Sequence, residues 1–145
     1  MSLTRATNPD RYNVLLERYP ELFPRPPQTH PRIRPQFDFG AGWFNIVERL
    51  LGCYAWTLVV DSELRERPPV ILAIREHRGA LRIDFAASAP WCEAMARLAA
   101  TEASLVCEVC GDPGEWSEAG QGQVRCKGHR RPRRIDYLNL MSGTD

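Results

Sequence analysis

Several features that decide a protein's class are scarce in this sequence. No apolar run approaches the roughly 20 residues needed to cross a bilayer, so the sequence predicts no membrane span. No apolar region of the secretory type is seen, and five cysteines leave one thiol unpaired, which favours reduced thiols and a cytoplasmic location. The net charge is only +1, which argues against attraction of nucleic acid by the molecule as a whole.

Apolar residues are plentiful by comparison. They make up 43% of the 145 residues, and a domain of this size removes about two-thirds of its unfolded surface from water. The composition therefore predicts a compact domain with a small appended module. We expect four parts: residues 1–36, an N-terminal helix and Pro-rich segment; 37–104, an α+β core; 105–131, a zinc-binding module; and 132–145, a basic and polar tail.

The N-terminal part begins with a helix signal. Asn8 is predicted to cap a helix whose first residue is Pro9, and the helix is expected to end at Pro20. One helical face collects its apolar residues, Tyr12, Leu15, Leu16 and Tyr19. Residues 20–35 hold six of the 12 prolines and are predicted to lie extended over the domain. A Pro-rich ligand for a partner is the alternative interpretation of this segment.

The strongest helix pattern follows two glycines, Gly40 and Gly42. Its apolar residues recur at steps of three and four: Trp43, Ile46, Val47, Leu50, Leu51, Tyr54 and Leu58. This helix is predicted to form the centre of the core. Cys53 and Trp56 lie off the stripe, and Cys53 is interpreted as a small buried or half-buried thiol and not as a nucleophile.

A β-hairpin and a further helix are predicted next. The strands are residues 70–75 and 81–85, and Gly79 supplies the positive φ that a short connection demands. Ser88 and Pro90 indicate the start of a helix that reaches about Glu102. Its predicted buried stripe consists of Trp91, Met95, Leu98 and Ala99.

The C-terminal part contains a C-x2-C-x15-C-x2-H pattern. Its members are Cys107, Cys110, Cys126 and His129, and they provide three thiolates and one imidazole. This is a complete tetrahedral donor set for a structural Zn²⁺, with no position left for a substrate water. Reduced core cysteines and a disulfide are the alternatives, and the two paired half-sites favour zinc.

A treble-clef or zinc-ribbon-like module fits this spacing. Gly111 is expected to complete a knuckle at the first cysteine pair, residues 116–125 to form a short hairpin, and Trp116 to cover the apolar side of the site. The fold class predicted for the chain is therefore α+β, with helices packed on a small antiparallel β-sheet and this module at the C-terminus.

Three motifs together resemble a family of small, uncharacterised phage and prophage proteins. The motifs are the helix start at residues 40–44 (GAGWF), the hairpin at 75–84 (REHRGALRID), and the CxxCG and CxxH pairs at 107–111 and 126–129. The family's hairpin motif resembles KEKFGGLRFY, and Ala80 replaces its second glycine here. The resemblance implies a viral or mobile-element origin, a bacterial host cytoplasm and a fold, without an activity.

Two classes of function are open, with an enzyme as the third. The first is an accessory protein that binds a host protein. The second is nucleic-acid binding by a basic run in and after the zinc module: Lys127, Arg130, Arg131, Arg133 and Arg134. Catalysis is the least favoured, because His129 is committed to zinc and no spacing of His77, Asp38, Asp61, Glu63, Glu76 and Asp84 suggests a mechanism.

Overall fold

A computed structural model describes residues 9–24, 35–118 and 122–130. In chain order the helices are α1 (Pro9–Arg18), α2 (Phe44–Val60), α3 (Ser62–Glu66) and α4 (Pro90–Ala103). The strands are β1 (Gln36–Asp38), β2 (Val70–His77), β3 (Ala80–Ala87), β4 (Glu115–Ser117) and β5 (Gln123–Arg125). Short 3₁₀ turns occupy Pro20–Leu22, Ala41–Trp43 and Lys127–His129. Helices and small sheets combine as predicted for an α+β chain.

The central helix α2 has the buried stripe that its sequence predicts. Ile46, Val47, Leu50, Leu51, Tyr54 and Leu58 are all buried, and Trp43 is buried in the turn that precedes the helix. Cys53, by contrast, is exposed, so the expectation of a buried or half-buried thiol is wrong. Its position on the helix faces away from the core, and Trp56 lies on the same exposed side.

The main sheet has the order β1-β2-β3 and is mixed. β2 and β3 form the predicted antiparallel hairpin, but β1 pairs with β2 in parallel, with Phe37 opposite Ile74. Within the main sheet, the predicted antiparallel pairing therefore holds for β2 and β3 and not for β1. Helices α2 and α3 form the crossover that a parallel pair requires.

The hairpin turn is tighter than the sequence suggested. Arg78 and Gly79 have φ values of 50° and 84°, which is the pattern of a two-residue turn. Each strand consequently extends beyond the predicted ends, and His77 pairs with Ala80.

Helix α4 packs through small residues. Cys92, Ala99 and Ala103 are its buried positions, whereas Leu98, predicted to be buried, is 71% exposed. α4 contacts both α2 and β3, and small side chains permit this close approach. The hydroxyl of Tyr54 in α2 donates to the carbonyl oxygen of Cys92 at 2.5 Å, which fixes the two helices to each other.

Helix α1 ends before Pro20, as predicted, and Leu15 on its inner face is buried. The proline-rich part differs at its beginning, because Pro20–Leu22 forms a 3₁₀ turn and is not extended. Three predicted features lie outside the described residues. They are the helix cap at Asn8, most of the Pro-rich segment (25–34) and the tail (131–145).

The C-terminal module shares the core of the domain. Val124 in β5 is fully buried and belongs to the same apolar cluster as Trp43 and Leu51. Within the described ranges, no helix combines the length and apolar character that crossing a membrane would take.

Candidate metal centre

The first pair of candidate ligands, Cys107 and Cys110, lies on a knuckle that backbone hydrogen bonds close. The amide of Gly111 donates to the carbonyl oxygen of Cys107 at 2.9 Å, and the amide of Cys107 donates to the carbonyl oxygen of Asp112 at 2.7 Å. Gly111 has a φ of 84°, a conformation that favours glycine, and this allows the chain to turn immediately after Cys110. The knuckle predicted from the CxxCG spacing is therefore present.

The second ligand pair follows a short hairpin. β4 and β5 are antiparallel, with Trp116 opposite Val124, and β5 delivers the chain to Cys126. The turn Lys127–His129 then brings the imidazole back, because the amide of His129 donates to the carbonyl oxygen of Cys126 at 3.1 Å. Its Nδ1 lies 3.1 Å from the Cys126 Sγ.

The four predicted ligands meet in one cluster. Their donor atoms all lie within 4.8 Å of one another, with 3.7 Å between the Sγ atoms of Cys110 and Cys126 and 3.7 Å between the Cys107 Sγ and the His129 Nδ1. In an ideal zinc tetrahedron the edge between two sulfurs is about 3.8 Å and the edge between sulfur and nitrogen about 3.6 Å. A cluster of this size and chemistry could hold a metal ion.

Backbone amides favour a thiolate at the buried cysteine. Burial opposes the charge on Cys107, but amides of Cys126, Cys110 and Val109 donate to its sulfur, and together with the Cys110 side chain they lower its pKa to about 7. At Cys110 the amide of Asp112 also donates to the sulfur, yet desolvation and the neighbouring thiols raise its pKa to about 11. Of these two thiols, Cys107 therefore ionises first in the metal-free site.

The start of α2 lies against the knuckle. The Gly42 amide donates to the carbonyl oxygen of Glu108 at 2.7 Å, and the Trp43 indole donates to the carbonyl oxygen of Val106 at 2.8 Å. The sequence places Gly40 and Gly42 directly before α2 without indicating a partner for them, and the absence of a side chain at these positions permits this contact. Glu108, the residue after Cys107, is fully buried although it is charged.

Trp116 contacts the other hairpin. Its indole donates to the carbonyl oxygen of Arg78 at 3.2 Å, in the turn between β2 and β3. A Cβ atom at Gly79 would lie 2.6 Å from the Trp116 ring and 2.2 Å from the carbonyl oxygen of Gly122. The tryptophan expected to cover the metal site thus joins the module to the core hairpin.

The structure describes two of the five basic residues that were predicted to bind nucleic acid. Lys127 and Arg130 are exposed, and Arg130 pairs with Glu115 at 2.7 Å. The other members of the run, Arg131, Arg133 and Arg134, lie outside the described residues.

Carboxylates that an enzyme might have used have structural partners here. Asp61 accepts from the amides of Glu63 and Leu64 and so caps α3, while Glu76 accepts from the Gly79 amide in the hairpin turn. Asp84 pairs with Arg75 across the sheet at 3.1 Å.

Comparison of the chain with protein-family models, with curated proteins and with solved structures finds no match.

Proposed function

We propose that this protein is a zinc-stabilised binding module that acts as a phage-type accessory factor by engaging a protein of its bacterial host. The observation that supports this proposal is an exposed apolar surface on α2. We call it the α2 outer face, and it consists of Cys53, Trp56, Val59 and Val60. The metal centre, in this proposal, stabilises the fold and takes no part in chemistry.

Zinc is the ion that the donor set supports best. Three thiolates and one imidazole suit Zn²⁺ and are poor ligands for Mg²⁺ or Ca²⁺, which prefer oxygen. The order of elements also supports a treble-clef or zinc-ribbon-like arrangement, since a knuckle gives one ligand pair, and the turn after a hairpin gives the other. Four protein donors complete a tetrahedron, which is the arrangement of structural sites.

The α2 outer face has the properties of a protein contact. Trp56 is 66% exposed, and Val59 and Val60, three and four residues further on, are exposed to a similar extent and lie on the same side of the helix. Tryptophan at the centre of an interface contributes a large share of binding energy. A contiguous apolar surface on a helix of this kind is typical of an interaction site.

Polar groups border the α2 outer face. Arg49 of α2 pairs with Glu102 of α4 on one side, and Arg65 donates to the carbonyl oxygens of Leu58 and Val59 at the C-terminal end of α2. An apolar centre with a polar rim is the usual composition of a protein interface.

The nucleic-acid alternative has less support from the described residues. Of its five basic residues, Lys127 and Arg130 lie in that part of the chain, and Arg130 is already paired with Glu115. Arg125, adjacent to the run, is turned inward toward Glu108 and is only 11% exposed. These contacts reduce the positive charge that the module presents to phosphate.

The test is affinity capture from bacterial lysate with zinc-loaded protein, in three forms: wild type, Trp56→Ala and Val109→Ala. Val109 is also exposed, but it lies on the metal module, so its variant controls for the loss of an apolar surface side chain. We expect wild type and Val109→Ala to retain one host protein, and nuclease treatment should not release it. Trp56→Ala should fail to retain that protein.

Two results would contradict the proposal. Equal retention by Trp56→Ala and wild type would remove the α2 outer face as the contact. Retention of nucleic acid alone, declining steeply as salt is raised, would instead support the basic run.

A further inference from the structure

The turn before α2 and the metal knuckle are joined by two specific hydrogen bonds. Gly42 donates its amide to Glu108, the residue after the ligand Cys107, and Trp43 donates its indole N–H to Val106, the residue before it. Trp43 is fully buried, so its donor has no access to water and depends on this partner. The backbone on both sides of Cys107 is consequently fixed by α2.

The contact is close enough to exclude any side chain at either glycine. A Cβ atom at Gly42 would lie 2.0 Å from the carbonyl oxygen of Cys107 and 2.6 Å from the amide nitrogen of Gly111. A Cβ atom at Gly40 would lie 2.2 Å from the carbonyl oxygen of Glu108. These obstacles are backbone atoms of the knuckle itself, so they cannot be relieved by rotating a side chain.

We propose that Gly40–Trp43 is a functional part of the metal centre: it holds the knuckle at residues 107–111 in the shape that binds the ion. The inference rests on the zinc site of the proposed function and is independent of the proposed protein partner. Groups that orient metal ligands typically change metal affinity by about tenfold to a hundredfold when they are altered.

The coupling has to work in both directions. If the turn before α2 favours the ligating shape of the knuckle, then an ion bound there favours the docked turn by the same free energy. Metal binding should therefore order the first residues of α2 as well as the C-terminal module, although Gly42 and Trp43 contribute no ligand atom.

The first experiment compares Gly42→Ala with Gly52→Ala. Gly52 lies within α2, beyond the turn that contains Gly42, and a Cβ atom there would meet only the Tyr19 hydroxyl, at an ordinary contact distance of 3.5 Å. Zn²⁺ affinity is measured by competition with a chromophoric chelator. We expect Gly42→Ala to bind zinc at least about tenfold more weakly and Gly52→Ala to remain within about twofold of wild type.

A second measurement separates a positioning role from general destabilisation. The melting temperature of each form is recorded with and without Zn²⁺, because a variant that only weakens the fold loses stability equally in both states. The inference expects the zinc-dependent increment to shrink for Gly42→Ala and to stay unchanged for Gly52→Ala. The Co²⁺-substituted variant should also show altered ligand-field absorption.

If Gly42→Ala does not fold, two other measurements test the inference: zinc binding by Trp43→Phe and hydrogen exchange of the wild-type protein. Trp43→Phe removes the indole donor and retains an aromatic ring, and it should weaken zinc binding. In wild type, removal of zinc should accelerate exchange at residues 42–46 together with 107–118 and 122–129. The inference would be overturned if Gly42→Ala or Trp43→Phe bound zinc as tightly as wild type, or if exchange at residues 42–46 did not change on zinc removal. If the wild-type protein bound no zinc, the metal site itself would be overturned as well.

Discussion

Glu108 Oε2 lies 3.7 Å from Arg125 Nη1, and the glutamate is fully buried. Glu108 directly follows the candidate ligand Cys107, and Arg125 directly precedes the candidate ligand Cys126. The ion pair therefore connects the two chain segments that contribute the candidate ligands. It also places two opposite charges in a part of the molecule from which water is largely excluded.

Replacing one member of this pair should destabilise the protein strongly. Arg125→Met leaves the buried Glu108 carboxylate without its cationic neighbour, and we expect a loss of about 3 kcal/mol in the free energy of unfolding. The double variant Glu108→Gln with Arg125→Met should recover much of that loss. Urea unfolding of the zinc-loaded forms measures both, and a single variant within about 0.5 kcal/mol of wild type would contradict the prediction.

Zinc affinity at the proposed site should fall as the pH is lowered, because the ion displaces protons from the thiols. Cys110, with its raised pKa, gives up a proton throughout the range from about pH 6 to about pH 8. Cys107, whose pKa is lowered to about 7, adds a further proton only below that value. A plot of log affinity against pH, obtained by competition titration, should steepen below about pH 7. A pH-independent affinity would show that the cysteines are not the ligands.

Tyr54 should make the stability of the protein sensitive to alkaline pH. Burial, with a smaller effect of Cys92, raises the pKa of its phenol well above the ordinary value of 10.0, so the folded state favours the protonated form. This contribution is complete below about pH 10 and is lost as the pH rises further. Tyr54→Phe, which lacks the hydrogen bond to Cys92, should cost about 1 kcal/mol at neutral pH.

The two stability curves should therefore converge at high pH. Urea unfolding of wild type and Tyr54→Phe at a series of pH values gives both curves. A constant difference between them above about pH 10 would mean that Tyr54 does not resist ionisation in the folded protein.

Two glycine substitutions should change stability in opposite directions. Gly79→Ala places a Cβ atom 2.2 Å from the Gly122 carbonyl oxygen at a φ of 84°, so we expect a loss of about 2 kcal/mol or more. Gly52→Ala meets no such obstacle in the middle of α2 and should stabilise by about 0.5–1 kcal/mol. Thermal unfolding compares them, and a neutral Gly79→Ala would show that the two hairpins do not depend on close contact.

Local patterns in the sequence were sufficient for the elements that local forces determine. The stripe from Trp43 to Leu58 specifies one helix face, and Gly79 specifies a hairpin turn. The CxxC and CxxH spacings likewise predict which donors meet. In each case the residues that form the pattern lie within one short segment or in two short paired motifs, so periodicity and spacing contain the information.

Contacts between distant segments were not available from such patterns. Leu98 was assigned to the core because it is apolar, but the packing of α4 depends on Cys92, Ala99 and Ala103, which let it approach its neighbours. The parallel pairing of β1 depends on where the crossover helices return the chain. Gly42 and Glu108 meet for the same non-local reason, and neither residue alone indicates the other.

The bond from the Trp43 indole to Val106 spans 63 positions of the chain. A contact of such long sequence separation forms slowly, since a large loop must be closed before the contact contributes any free energy. During synthesis, the residues that begin α2 leave the ribosome well before their partners in the knuckle. The helix most prominent in the sequence thus reaches its final packing only after residues 106–108 have been made.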